Sequence, residues 1–386
     1  MMKVKQWMSV GMLSLALSVP SVGAQEHPID ANAVARHYAT LVLTNYEDTL
    51  GAALTLQQKV QAFVAAPSAD GLTAARQAWL AAREWYGQTE AFRFYGGPID
   101  DAKGPEGRIN AWPLDESYID YVKGRADAGL VQNRRLAISK TSLAKMNERG
   151  GEENISTGWH AIEFLLWGQD QSPTGAGNRS FEDYVDGKTP HADRRRQALA
   201  TITDLLIDDL RYLVQAWQPG APYRTAFEGG GQESMRKIIV GLGSLSRGEL
   251  AGERMEVALN TQDQEDEHSC FSDNTHRDIV TNAQGIHNVW TGRYQRASGA
   301  VLSGPSLQQL VASRDATVAE HTTRSIENSL AAAQAIQAPF DREIIGADSA
   351  PGRQRVLKTI QSLVQQSKHL VTSANVLGIT RLTVNP

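Results

Sequence analysis

The chain has one cysteine, Cys270, in 386 residues, so an internal disulfide is impossible and stability must come from a core. It has no basic tract, and its formal charge is −5, which argues against nucleic acid as a partner. Outside the first residues no apolar stretch approaches the roughly 20 needed to span a bilayer. No H-E-x-x-H occurs, and the inverted form H-x-x-E-H fails because Phe164 stands where its second histidine would be. No G-x-S-x-G elbow is present, and Cys270 lies in no recognised nucleophile motif. A conventional zincin site is therefore excluded.

What the chain does have begins with an export signal. Lys3 and Lys5 precede an apolar run from Val10 to Val19, and Val22-Gly23-Ala24 reads as a small-residue cleavage site. No cysteine follows that site, so the expectation is an exported periplasmic protein that is not a lipoprotein. Residues 25–217 and 218–386 are expected to form two tandem helical bundles, divided near the Pro/Gly-rich 218–230 stretch. Periodicity is helical almost throughout: Asp30 caps a long helix, a second runs from about Leu72 to Tyr95, and others cover Ala192 to Trp217, Ser234 to Leu245, Glu249 to Thr261, Gln264 to Tyr294, Pro305 to Ala338 and Pro351 to Asn375. Trp112-Pro113 is expected to start a further helix, and no clear strand pair appears before the last few residues. The fold class expected is all-α, two helical bundles in tandem.

Three clusters carry chemistry. The segment Gly158-Trp-His-Ala-Ile-Glu-Phe-Leu-Leu-Trp167 reads as a short helix capped by Ser156 or Thr157 and closed by Gly168. It is apolar nearly all round, so it is buried, with His160 and Glu163 one turn apart on one face. Buried polar groups need partners, so the pair is either two ligands to one cation or a hydrogen bond that ties helices together. In the second cluster, Gln264 to Asp278, a helix would align Glu265, Ser269, Asp273 and His276, with His268 beside them; a solvated helix start is the alternative. In the third, Arg83, Glu90, Arg93 and Asp100 are interleaved with Trp79, Trp85, Phe92, Phe94 and Tyr95, which points to a pocket wall rather than a surface ion-pair row.

Four blocks in order, Gln88 to Asp100, Asn110-Ala-Trp-Pro-Leu-Asp-Glu116, Gly158-Trp-His-Ala-Ile-Glu163 with its continuation to Asp170, and Glu265 to His276, resemble the imelysin family, whose signature is G-x-H-x-x-E. The closest subgroup is that of insulin-cleaving metalloproteinase and iron-regulated proteins. The resemblance implies two helical bundles with a site at their interface containing the His-x-x-Glu pair, a cell-envelope location, and links to iron uptake or regulation, with envelope iron-transport partners. It also implies a metal site in which Glu90 and Asp100 act as acidic partners of His160 and Glu163. Arg93, Glu267, His268, Asp273 and His276 are then expected behind these ligands or on the opposing wall. The ion expected is divalent or ferric, iron first, with zinc or copper next, bound alone or as a small complex. The rival is a metallopeptidase with Glu163 or Glu90 as base. A helical scaffold with a metal-free polar network is the third reading.

Overall fold

The structure is a computed structural model describing residues 29–172 and 174–382; the expected signal at 1–24 lies outside them. It is all-α apart from one small hairpin. Asp30 caps the first helix, Ala31–Ala65, by accepting from the backbone N–H of Ala33. Ser68 caps the second, Ala69–Thr89, which packs antiparallel along the first after a short connection. That second helix ends earlier than its periodicity suggests. Glu90–Phe92 tighten into a single 3-10 turn, and Phe94 takes a left-handed φ of 70° that turns the chain away.

Residues 96–156 are largely irregular, with only short helical turns. The helix expected after Trp112 is one turn, Glu116–Ile119, capped by Asp115 rather than begun at Pro113. The helix Gly158–Trp167 then enters the interior, where all ten of its residues are buried. Thr157 occupies the cap position without a side-chain cap bond, and Gly168 closes the helix at φ 73°. Ala192–Ala216 packs against both this helix and the first one.

Gln232–Ser244 continues without a break through a π-helical stretch, Leu245–Glu256, into Val257–Thr261. The segment Gln264 to Tyr294 is not one helix. Only Thr275–Thr291 is regular, and 267–274 forms a folded turn in which Asp273 sits at φ 55°. The run ends at Gly292, and Arg293–Gln295 pairs antiparallel with Val301–Ser303, a hairpin absent from the sequence expectation. Leu307–Ala312, Ala316–Gln334 and Pro351–Val376 complete the chain.

Helices from before and after 218–230 share one continuous apolar core. The second helix packs on Thr275–Thr291, and the first packs on Gln232–Ser244. This crossing of the two halves positions the site. Arg83 and Glu90 from the second helix and its end, His160 and Glu163, and the folded turn 267–274 all meet there.

Candidate functional site

The Gly158–Trp167 helix can reach the centre because its first residue is glycine. Gly158 has φ 84°, and a Cβ there would come within 2.4 Å of the Ile109 carbonyl oxygen. Trp159 fills the space behind, where its carbonyl accepts from Trp79 Nε1 at 3.0 Å. One turn on, His160 Nδ1 and Glu163 Oε2 lie 2.9 Å apart, both side chains fully buried. The other Glu163 oxygen accepts from the backbone N–H of Ser272 at 3.0 Å and from its hydroxyl at 2.6 Å. Glu163 is thus held by three polar atoms, and none of them is a full positive charge.

A second imidazole stands against the first. The rings of His160 and His268 are edge to face with centroids 4.6 Å apart, and Trp112 packs on both. His268 repeats the His160 arrangement: its Nδ1 lies 3.0 Å from Asp278 Oδ2, which also accepts from the Ser269 hydroxyl at 2.5 Å. The other oxygen of Asp278 faces Arg83 at 3.0 Å. The Arg83 guanidinium donates onward to Asn110 Oδ1 at 2.6 Å and is enclosed by the rings of Trp79, Tyr86 and Trp159. The geometry is two carboxylate–imidazole pairs set face to face.

Burial decides the charges. It pushes both histidines below their usual value, His268 to about 4, with the neighbouring imidazole and Arg83 adding to the shift at His160. It raises the Glu163 carboxyl to about 8, against the hydrogen bonds from Ser272. Burial would raise Asp278 too, but Arg83 and His268 outweigh it and hold that carboxyl well below the ordinary range. Both rings are therefore neutral at neutral pH, the Glu163 carboxyl is largely protonated in the metal-free protein while Asp278 is ionised, and each ring engages its carboxyl group through Nδ1. Nε2 of His160 is buried with no partner, and Nε2 of His268 has only Asn110 Nδ2 at 3.5 Å. Two neutral imidazoles aligned by carboxylates, each with Nε2 left over, are the arrangement seen around metal-bound histidines.

A cavity of about 460 Å³ opens onto His268, lined also by Arg93, Glu106, Trp112, Glu249 and Arg254. Glu90 pairs with two of the lining residues, Arg93 and Arg254. One of its oxygens accepts from Arg93 and from Arg254, each at 2.7 Å, and its other oxygen is buried without a partner. Burial opposes the Glu90 charge, but the two guanidinium groups keep it ionised. The site thus offers two imidazole nitrogens and one carboxylate oxygen that have unused valence, beside an open cavity.

The sequence-derived residues divide unevenly. His160, Glu163 and His268 come together, with His268 inside the centre rather than behind it. Arg93 lines the cavity through its pairs with Glu90 and Glu106. Asp100 does not join them: its two oxygens accept from the backbone N–H groups of Phe94 and Gly97 and fasten the loop that carries it. Among the described residues, no group of three drawn from His160, Glu163, His268, Glu90 and Asp100 meets the mutual 4.8 Å spacing of a ready-made ligand set. Glu267 and Asp273 belong to a separate acidic group with Asp170 and Asp341. His276 is half-buried at the start of its helix and contacts the Asp273 carbonyl. Asp278, Asn110 and Ser272 complete the centre without having been singled out. Each lay in a block of interest, but no spacing rule separated it from its polar neighbours.

The comparisons with known proteins bear on the family and the fold. The imelysin family model matches residues 42–370. Iron-regulated protein A of Synechococcus elongatus is 30% identical over 308 residues, covering 79% of this chain and 75% of that protein. A crystal structure of a candidate iron-regulated protein A precursor from Parabacteroides distasonis superposes with a TM-score of 0.68 at 20% identity, covering 91% of this chain and 97% of that one. An imelysin-like protein from Psychrobacter arcticum gives 0.65 at 16% identity, covering 91% and 98%.

Proposed function

The chain belongs to the imelysin family, and from that premise we propose that it is an exported, periplasmic metal-binding protein serving iron acquisition. The observation that carries this reading is the buried, partnerless Nε2 of His160 beside the nearly partnerless Nε2 of His268, each imidazole aligned by its own carboxylate. His160 and His268 would hold the ion, and Glu90 would join them only by moving its free oxygen closer, since the three do not lie within 4.8 Å of one another. Glu163 and Asp278 would act through the histidines: they fix the ring orientation and raise the basicity of the outward nitrogen. That departs from the role the signature suggests, because Glu163 spends both oxygens on His160 and Ser272. A mixed nitrogen and oxygen donor set suits ferrous iron, zinc or copper. The iron-regulated name of the relative favours iron.

A bound ion would supply positive charge at a point where the protein has placed neutral rings. The cavity leaves room for ligands that the ion brings with it, so a small metal complex is as acceptable as the bare cation. The peptidase reading finds less support. A general base must reach a water beside the substrate, and the Glu163 carboxylate is fully buried behind His160. Glu90 is neutralised by Arg93 and Arg254.

Titration calorimetry of metal-free protein with ferrous iron under anaerobic conditions, and with zinc, tests the proposal. One ion per chain is expected, with affinity reduced at least about tenfold in His160→Ala and His268→Ala. Equal affinity in wild type and both variants would remove the assignment.

A further inference from the structure

A second, chemically different cluster lies on the far side of the 267–274 turn. One oxygen each of Asp170, Asp273 and Asp341 lie within 4.8 Å of one another. The three come from distant segments: the exit of the His160 helix, the folded turn, and the start of Asp341–Ile344. Asp170 and Asp341 are buried, at 3% and 4% exposure, and Glu267 beside them is fully buried at 0%. Both oxygens of Glu267, both oxygens of Asp341, and one oxygen each of Asp170 and Asp273 lack a hydrogen-bond donor, and the Glu267 and Asp341 carboxyl groups lie against each other. Among the described residues no lysine or arginine pairs with any of the four.

Four carboxylates gathered without a donor or a counter-charge are costly, and a hydrogen-bonded core normally leaves few such groups. Burial, followed by repulsion from neighbouring acids, pushes two of them upward, Asp273 to about 7 and Asp170 to about 6. The unpartnered, buried Glu267 and Asp341 carboxylates point to a missing cation rather than to a solvated acidic surface. The donors are all oxygen and all anionic, which selects a hard ion. Oxygens bound to one calcium at about 2.3–2.6 Å can lie as far as about 5 Å apart, and the three aspartate oxygens fall within that span.

We propose that Asp170, Asp273, Asp341 and Glu267 form a calcium site that fastens the 267–274 turn to both halves of the chain. Its reach extends to the centre described above, because Asp273 adjoins Ser272, which holds Glu163, and Glu267 adjoins His268. The site does not depend on metal binding at the histidines.

The test is a thermal melt of chelator-treated full-length protein with calcium chloride, together with terbium luminescence titration and calcium competition. Wild type should bind one terbium ion, release it to calcium, and melt several degrees higher in millimolar calcium. Asp341→Asn and Asp170→Asn should each lose both responses. In the absence of calcium they should melt at or above the wild-type temperature, since each removes one repelling charge. His160→Ala should keep the calcium response, which separates this site from the histidine centre. No calcium shift in wild type would overturn the proposal, and so would a shift that survives both acidic variants or disappears in His160→Ala.

Discussion

Replacing Asp278 by asparagine tests whether the centre is held by one buried charge. Asp278 accepts from Ser269 and His268 on one oxygen and faces Arg83 on the other, with both side chains of the ion pair about 1% exposed. Removing one partner of such a pair costs about 3–5 kcal/mol, mostly because the other charge is left buried. Arg83 keeps its bond to Asn110 and three aromatic faces, which together moderate the loss. The expected cost is therefore near the lower limit, about 3 kcal/mol, or roughly 150-fold in the folding equilibrium. Urea denaturation at pH 7 measures it. The Asp278 carboxyl is depressed, so its contribution is fully present at that pH and is lost only as pH falls through its folded-state value. The exposed pair Arg324–Glu320, at 3.0 Å, serves as control and should give less than about 1 kcal/mol when broken. A cost for Asp278→Asn no larger than the control would refute the claim that this carboxylate anchors the centre. Arg83→Met combined with Asp278→Leu should recover part of the loss, as two matched apolar groups leave no charge behind.

Glu163 behaves in the opposite sense. Its folded-state value of about 8 lies above the ordinary carboxyl range, so the metal-free protein loses stability as pH rises through about 4.5 to 8, by up to about 1.4 kcal/mol per unit. Denaturation across that window should show a shallower decline in Glu163→Gln; parallel curves would contradict the shift. Gly158→Ala should destabilise by about 2 kcal/mol or more, because a side chain there meets both a positive φ and the Ile109 carbonyl; guanidinium midpoints would show it, and a neutral result would mean the helix entrance is not constrained. Asp100→Asn should cost about 1 kcal/mol through its loop and leave metal affinity at the histidines unchanged, as calorimetry would show. A large drop in affinity would restore Asp100 as a ligand.

The helix carrying His160 and Glu163 was legible because a short apolar period lay between two glycines, each needed for a positive φ. The long first helix was legible for similar reasons, with Asp30 marking its start. The 264–278 run was misread as helix because its polar residues happen to match a helical period. Local bonds break it instead: the Ser269 backbone N–H donates to Thr275 and its hydroxyl to Asp278. Pairing His160 and Glu163 required only the i, i+3 rule. Bringing in His268 required knowing that this turn folds back across the centre. Asp100 was drawn in by likeness of motif, yet the turn at Phe94 directs it to its own loop. The hairpin at 293–303 escaped notice because its strands are three residues each, too short for alternation to register.

Crystals of the metal-free protein soaked in ferrous iron or zinc, with anomalous diffraction collected at the metal edge, test the account most directly. The expected result is one peak about 2.0–2.2 Å from Nε2 of His160, with Glu163 still bonded to Nδ1. A peak that engages Glu163 in place of Nε2, or none at the histidines under saturating metal, would contradict it.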